Sequence, residues 1–252
     1  LSLHDALPIS LRGKLQGSNT SLYTPGTGGT TTWPAGVSMQ PNSGITTTSG
    51  AITILGSNPG FTFDNAYRTG VKLDTATIAS GSGAINITGT GSSSNTPTNS
   101  NGVLLSAKAS ILSTNASGGT INLVGNGNKQ GGVYTFVGAR VLSAKGDINI
   151  TGSATTDKLN SIALRGAKLG YDTTDITTSS ANINLTSDAM AIETNSALKT
   201  TGTVNLVNKT AGTKIDIGGN DVAAATATLG LTNAELNTIT ASKLVIGSAS
   251  AG

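Results

Sequence analysis

One seven-residue phrase recurs along the chain: glycine, any residue, an aliphatic residue, asparagine, a second aliphatic residue, threonine or valine, and often glycine. Apolar and polar residues alternate within it, which predicts a half-buried β-strand with its aliphatic side chains inward, its asparagine outward and its glycines in turns at both ends. Internal repetition of this kind indicates a repeat architecture. The clear copies cover 83–89, 119–125, 146–152, 181–186 and 202–207, and looser copies cover 50–56 and 212–218.

The spacing of the copies indicates one phrase per turn of a solenoid. Between the first aliphatic positions, at 52, 85, 121, 148, 183 and 204, the spacings are 33, 36, 27, 35 and 21 residues. A second apolar pattern precedes most copies, as in Val71, Leu73, Ala76 and Ile78. Each repeat therefore holds about three short strands, and stacking them in parallel about 4.8 Å apart gives an all-β fold, a parallel β-helix. We expect roughly six to eight coils.

The outward asparagines should lie above one another on successive coils. Amides stacked in register can hydrogen-bond along the stack, contributing about 0.2–1 kcal/mol per pair by analogy with cross-strand pairs. Such a ladder is either a ligand-binding strip or a solvated face that stiffens the sheet. Its members are Asn86, Asn122, Asn149, Asn184 and Asn205.

Composition narrows the classes of function. The absence of cysteine excludes disulfides, thiolate catalysis and Cys-zinc sites. The 15 basic and 12 acidic residues are dispersed without a basic run, so we expect no nucleic-acid partner. No apolar stretch reaches 18 residues, so we expect no membrane-spanning segment. Only 3% of the residues are aromatic, which is low for a compact enzyme but suits a thin aliphatic core.

The first ten residues differ from the rest and contain His4, the only histidine. Residues 2–9 resemble the translation of a common short-read sequencing adapter, and the tail of a signal peptide is the alternative. We therefore expect residues 1–10 to be non-native, 11–35 to be an irregular Gly/Thr-rich stretch, and 36–252 to be one β-helix domain truncated at both ends, a fragment of a longer protein.

Three segments outside the strands have distinct signatures. Residues 92–101 and 125–132 are polar and should form loops, where solenoids tolerate insertion. Thr232 followed three residues later by Glu235 has the spacing of a capping box, which predicts a short helix over 232–237, an ordinary turn being the alternative.

The repeats at 70–89 and 102–125 resemble those of very large bacterial filamentous-haemagglutinin-type adhesins. Residues 229–247 are similar to a segment that recurs in such exoproteins, and the resemblance extends over about 36–252. It implies a right-handed parallel β-helix at the surface of a Gram-negative cell, secreted through an outer-membrane partner or its own C-terminal barrel. The implied role is adhesion, aggregation or a structural stalk, and no functional residue of the family can be placed on this chain.

Enzymes also use β-helices, notably polysaccharide lyases and hydrolases. The pectin-hydrolase motifs are absent, and without His4 a Ser-His-Asp triad lacks its base. A lyase could use a basic residue with carboxylate-bound calcium, although exposed charges in turns explain the same residues. The candidates are Arg140, Lys145 and Asp147, or Arg165, Lys168, Asp172 and Asp175.

Two further possibilities rest on short motifs. Residues 218–221 partly match a glycine-aspartate calcium repeat, but they occur once and such sites need stacked copies. Threonines at 46–48 and 177–178 hint at an ice-binding solenoid, for which the uneven repeat length should spoil the required lattice.

The expected function is a structural or adhesive segment of a secreted or cell-surface adhesin, a rigid stalk or passenger with variable loops. We expect no enzymatic activity, no catalytic, cofactor-binding or metal-binding residues, and no cofactor. The expected partners are flanking coils of the same polypeptide and surface glycans or proteins of host or bacterium. The alternatives are a carbohydrate-active β-helix enzyme and an ice-binding solenoid.

Overall fold

The computed structural model describes residues 9–14, 35–58, 68–92, 100–128, 131–155, 161–221 and 228–249, which form a parallel β-helix. Strand β1 (Ile9–Lys14) comes first, and six three-stranded coils follow it. The coils are β2 (Ala35–Met39), β3 (Gly44–Thr47), β4 (Ile52–Ser57); β5 (Thr69–Leu73), β6 (Thr77–Ser80), β7 (Ile85–Thr90); β8 (Asn101–Leu105), β9 (Ser110–Ser113), β10 (Ile121–Gly127); β11 (Gly131–Thr135), β12 (Arg140–Ser143), β13 (Ile148–Ala154); β14 (Ile162–Leu164), β15 (Lys168–Gly170), β16 (Ile183–Thr186); and β17 (Met190–Ile192), β18 (Ala197–Lys199), β19 (Thr203–Val207).

The remaining described elements lie after the sixth coil. They are β20 (Lys214–Ile217), β21 (Thr228–Leu231), helix α1 (Asn233–Leu236), β22 (Ile239–Thr240) and β23 (Lys243–Ile246). Strands β22 and β23 continue the stack beside β18 and β19, whereas β21 pairs with β20.

Three parallel sheets run along the stack, one for each strand of a coil. Sheet I contains the first strands, in the order β17-β14-β11-β8-β5-β2. Sheet II contains the second strands, in the order β22-β18-β15-β12-β9-β6-β3. Sheet III contains the recurring phrase, in the order β1-β4-β7-β10-β13-β16-β19-β23. The predicted parallel β-helix with three short strands per coil is confirmed.

The recurring phrase keeps its register through the stack. Ile121 is the partner of Ile85 on one side and of Ile148 on the other, so their side chains enter the core at the same level of successive coils. All three are fully buried. The differences in repeat length are therefore absorbed between the strands, and sheet III keeps its register in spite of them.

The glycine that closes the phrase has a different role from the one predicted. Gly125 lies inside β10 and points inward, not in a turn. A Cβ atom built on it would be 2.0 Å from the carbonyl oxygen of Gly132 in sheet I, and one built on Gly89 would be 2.0 Å from that of Gly102. The backbones of sheets I and III thus meet directly at this corner, and no side chain fits between them.

The turn between sheets I and II repeats one strained backbone position. Lys108 has φ 63° there, and the equivalent residues on the next two coils are Gly138 (φ 86°) and Gly166 (φ 64°). Left-handed backbone costs a non-glycine residue about 1–2 kcal/mol. The left-handed backbone therefore favours glycine at a position that Lys108, like Thr75 (φ 50°) and Asn42 (φ 63°) on the preceding coils, occupies under strain.

Replacing Lys108 with glycine should raise the free energy of unfolding by about 0.5–1 kcal/mol, because relief of the strain exceeds the added entropy of the unfolded chain. Lys145→Gly is the matched control, since Lys145 is also an exposed turn lysine but lacks a positive φ; it should lower stability. Chemical denaturation measures both, and equal effects of the two substitutions would refute the strain argument.

The short helix is confirmed and is smaller than expected. Helix α1 begins after Thr232, whose side chain accepts from the Glu235 amide while the Glu235 carboxylate accepts from the Thr232 amide. The polar loop predicted over 125–132 is shorter than expected, because β10 extends to Gly127 and β11 begins at Gly131. In the other predicted loop, residues 93–99 lie outside the described residues, and Asn101 already belongs to β8.

The N-terminal segments are described only in part. Strand β1 pairs with β4 in parallel and crosses the boundary predicted between residues 10 and 11. Residues 1–8 and 15–34, which include His4 and most of the predicted irregular stretch, lie outside the described residues.

Candidate functional site

The predicted asparagine ladder is present on the outer face of sheet III. The Nδ2 of Asn122 donates to the Oδ1 of Asn86 at 2.8 Å, and the Nδ2 of Asn149 donates to the Oδ1 of Asn122 at 2.8 Å. Asn184 donates to Asn149 at 2.7 Å, and Asn205 donates to Asn184 at 2.6 Å. Each inner amide is half-buried and uses one donor and one acceptor within the ladder. The ladder therefore links successive coils through side-chain hydrogen bonds and stiffens the face.

Replacing Asn149 with aspartate should lower the free energy of unfolding by about 1–2 kcal/mol, because a carboxylate cannot donate to Asn122 and places two acceptors against each other. The matched control is Asn86→Asp, in the first rung, which only needs to accept from Asn122; it should change stability by less than about 0.5 kcal/mol. Denaturant unfolding at neutral pH measures both, and equal losses would argue against a directional ladder.

The structure combines residues from the two predicted lyase groups. The Nη1 of Arg140 lies 3.4 Å from the Oδ2 of Asp172 and also contacts the Oδ2 of Asp175. The same guanidinium donates from Nε and Nη2 to the Oγ of Ser110, at 3.2 and 2.9 Å. The Asp172 side chain is only 1% exposed. One buried carboxylate is thus held by a cation from the preceding coil.

This cluster fixes the segment between β15 and β16. The Oδ1 of Asp172 accepts from the backbone amides of Thr174 and Asp175, at 2.8 and 2.9 Å. A few residues on, Ile176 packs with Leu142 in a small apolar cluster outside the main core. Burial by itself would raise the pKa of Asp172, but these amide bonds and Arg140 outweigh it and lower the pKa. A carboxylate so held is a poor proton acceptor, so the cluster holds the segment in place.

The other predicted residues are not brought together. Lys168 is the exposed register partner of Arg140 on the next coil, and Lys145 is exposed in the turn between β12 and β13. The Oδ1 of Asp147 accepts from the amide of Asn182 at 3.0 Å.

Arg165 lies at an exposed site on the sheet I side. Its Nε is 3.3 Å from the Oε1 of Glu193, with both side chains more than 40% exposed. Its guanidinium carbon is 5.0 Å from the centre of the Tyr134 ring, and that ring meets Phe136 edge-on at 5.3 Å. Arg165 thus forms a surface ion pair with Glu193, and its guanidinium lies over the Tyr134 ring.

Asp188 organises the turn after β19. Its Oδ1 accepts from the amides of Lys209 and Thr210 and from the Thr213 hydroxyl, and its Oδ2 accepts from the Thr210 hydroxyl. Burial opposes ionisation, but these bonds prevail and lower the pKa of Asp188. The ionised carboxylate closes the turn.

An open cleft of about 770 Å³ lies at the end of sheet I, where β21 follows β17 without pairing to it. The Oδ2 of Asp221 accepts from the Met190 amide at 2.9 Å, and its Oδ1 accepts from the Gly230 amide at 2.8 Å. The Oε1 of Glu235 accepts from the Ile192 amide at 3.0 Å, and its Oε2 accepts from the Thr232 amide at 2.9 Å. The carboxylates of Asp221 and Glu235 therefore connect β17 with β21 and with Thr232 after it, although β17 and β21 are not paired in a sheet.

The electrostatics of this cleft differ from those of the other carboxylates. Burial, and to a smaller extent the charge of Glu235, raise the pKa of Asp221 to about 7, against the opposing effect of the Gly230 and Met190 amide bonds. A carboxyl with such a pKa in a cleft is a common signature of a functional site. The sequence predicted the capping role of Glu235 but not the bridging role of Asp221, whose only signal was the 218–221 motif.

Comparisons with protein-family models, with curated proteins and with solved structures each found no match. Among the described residues, no group of three or more His, Asp or Glu side chains is placed to hold a metal ion. No helix in the described part of the chain has the length and apolar character needed to cross a membrane.

Proposed function

We propose that this protein is a rigid structural segment, a stalk or passenger, of a secreted or cell-surface bacterial adhesin. The observation that carries the proposal is the in-register stack of six coils, whose eight-stranded sheet III spans about 34 Å at about 4.8 Å per strand. Every inner strand is hydrogen-bonded on both sides, so the stack resists bending and shear as one unit. The resemblance of 70–89, 102–125 and 229–247 to adhesin repeats supports the same role.

The charged groups support a structural role. Asp172 holds a surface segment, Asp188 closes a turn, and the oxygens of Asp221 and Glu235 accept from backbone amides. A rod that separates a binding tip from the cell needs such internal bonding and needs no reactive group.

Surface labelling tests the location. Antibodies raised against the purified chain should label intact Gram-negative cells that express the gene with its native flanking regions, at the level seen after permeabilisation. An antibody against a cytoplasmic protein, which should label permeabilised cells only, is the control. Labelling of this protein only after permeabilisation would overturn the proposal.

The second candidate is a carbohydrate-active β-helix enzyme, and the observation that favours it is the cleft with Asp221 and Glu235. Purified protein incubated with acidic and neutral polysaccharides, with and without calcium, should produce neither new reducing ends nor unsaturated products. Turnover that disappears in both Asp221→Asn and Glu235→Gln variants would replace the structural proposal with an enzymatic one.

A further inference from the structure

The third coil carries a short insertion in its turn from sheet II to sheet III. This turn has four residues on the second and fourth coils, 81–84 and 144–147, but seven on the third, 114–120. The strands on both sides of it keep their register, since β9 pairs with β6 and β12, and β10 pairs with β7 and β13. The three additional residues therefore leave the stack undisturbed, and solenoids often carry recognition elements in such insertions.

The additional residues are 116–118, directly after Asn115. The Asn115 amide donates to the Gly81 carbonyl of the preceding coil at 3.0 Å, which holds the Asn115 backbone in the stack. The Asn115 carbonyl accepts from the amide of the last inserted residue at 2.8 Å. The stack resumes at Gly119, where an added Cβ atom would be 2.3 Å from the carbonyl carbon of Gly83. The inserted residues thus form a small loop that begins and ends at fixed points.

Asn115, Ala116 and Ser117 form an Asn-x-Ser sequon, the acceptor motif for N-linked glycosylation. All three residues are exposed. The Oδ1 of Asn115 accepts from the Ser117 amide at 3.1 Å, which is an Asx-turn. Within the described part of the chain, the Nδ2 of Asn115 donates no hydrogen bond. The nitrogen to which a sugar would be attached therefore lies uncommitted at the surface.

The other sequons of the chain are less accessible. Three lie in strands of sheet III, where their asparagines are half-buried members of the ladder: Asn86, Asn149 and Asn184. A fourth begins at Asn208, which is only 3% exposed and donates from its Nδ2 to the Thr210 carbonyl at 2.8 Å. The sequon at 19–21 lies outside the described residues. Of the described sequon asparagines, Asn115 alone is exposed.

We propose that Asn115 is an acceptor site for N-linked glycosylation of the folded protein. The donor is a sugar whose anomeric carbon carries a diphosphate leaving group, on a nucleotide or on a lipid, and a glycosyltransferase catalyses the transfer. The Nδ2 of Asn115 forms a bond to the anomeric carbon as the bond from that carbon to the phosphate oxygen breaks. One Nδ2 proton passes to a base of the transferase, and nothing is oxidised or reduced. The proposal does not depend on the adhesin role.

Mass-spectrometric mapping of the full chain after incubation with a sequon-specific transferase tests the site. One arm uses a soluble enzyme with UDP-glucose, and the other uses a membrane enzyme with a lipid-linked glycan. In at least one arm, Asn115 should be modified about tenfold or more above each of the other described sequons, because those react only through local opening of the stack. The arm that gives the product identifies the source of the sugar. Absence of sugar on Asn115 in both arms, or equal modification of the ladder asparagines, would overturn the proposal.

The heat-unfolded chain is the control for the effect of folding. Its ladder sequons should be modified to about the same extent as Asn115, because unfolding makes all of them accessible. If the ladder sequons stayed unmodified in the unfolded chain, the preference for Asn115 would come from the local sequence and not from the structure, which would contradict the proposal.

Two variants test the motif. Ser117→Ala removes the hydroxyl of the sequon but keeps the backbone amide that donates to Asn115, so modification of Asn115 should be lost. Thr114→Ala is the matched control, since Thr114 is an exposed hydroxyl residue of the same turn outside the sequon; it should be modified as the unaltered protein is. Circular dichroism should show the same β-sheet signal for both variants. Persistent modification in Ser117→Ala, or its loss in Thr114→Ala, would refute recognition through the sequon.

Discussion

Alanine at position 125 should destabilise the stack by more than about 3 kcal/mol or prevent folding altogether. The added Cβ would lie 2.0 Å from the Gly132 carbonyl oxygen and 2.8 Å from the Val133 Cγ2. The nearest obstacle is backbone in a strand bonded on both sides, so it cannot rotate away, and overpacking without relaxation is among the more damaging changes to a core. The loss would appear as a lower denaturation midpoint or a missing β-sheet circular dichroism signal.

The same chemical change at Gly212 provides the control. Gly212 has φ 79° and open space around its Cβ position, so Gly212→Ala should cost only the left-handed backbone term of about 1–2 kcal/mol. Similar effects of the two substitutions would contradict the prediction. They would mean that sheets I and III move apart at this corner to accommodate the added Cβ atom.

Replacing Arg140 with methionine should lower the free energy of unfolding by about 3 kcal/mol. The change leaves the Asp172 carboxylate buried without its cation, and breaking one partner of a buried pair costs about 3–5 kcal/mol. The pKa of Asp172 lies below its ordinary value of 3.8, so its contribution is present above that pH and is lost as the pH falls below it. In the Arg140→Met variant, the contribution of ionised Asp172 to stability should begin to be lost at a higher pH than in the unaltered protein. Urea unfolding between pH 3 and 7 measures both effects.

Two further variants separate the charge from the loss of packing. Arg165→Met removes the more exposed ion pair with Glu193, so it should cost no more than about 1 kcal/mol. Adding Asp172→Asn to Arg140→Met should recover part of the loss, because a neutral amide is easier to bury than an unpaired carboxylate. No recovery in the double variant would mean that the arginine stem, and not its charge, holds the segment.

The fold was predictable because its determinants are local. Alternation within the phrase specifies a half-buried strand, and the spacing of Ile85, Ile121 and Ile148 specifies one such strand per coil. The role of Gly125 was not predictable in this way. A glycine after a strand usually indicates a turn, and only the position of sheet I explains why the strand continues through it.

The candidate sites were less predictable because the charged groups interact across coils. Grouping residues along the chain placed Arg140 with Asp147, whereas stacking places it beside Asp172, 32 positions away. Asp221 contacts Met190 at a separation of 31 residues. In a solenoid the nearest neighbour of a side chain is often one repeat away, so candidate sites are better sought at that offset.

The asparagine ladder also gives the molecule a polarity. All four of its bonds donate from the later coil to the earlier one, so the amide dipoles point the same way and add along the axis. Further growth past Asn205 requires a donor, which the apolar Val245 in the next strand cannot supply. Sheet III therefore continues past Asn205 through β23, but the ladder ends there, with the Oδ1 of Asn205 as its last acceptor.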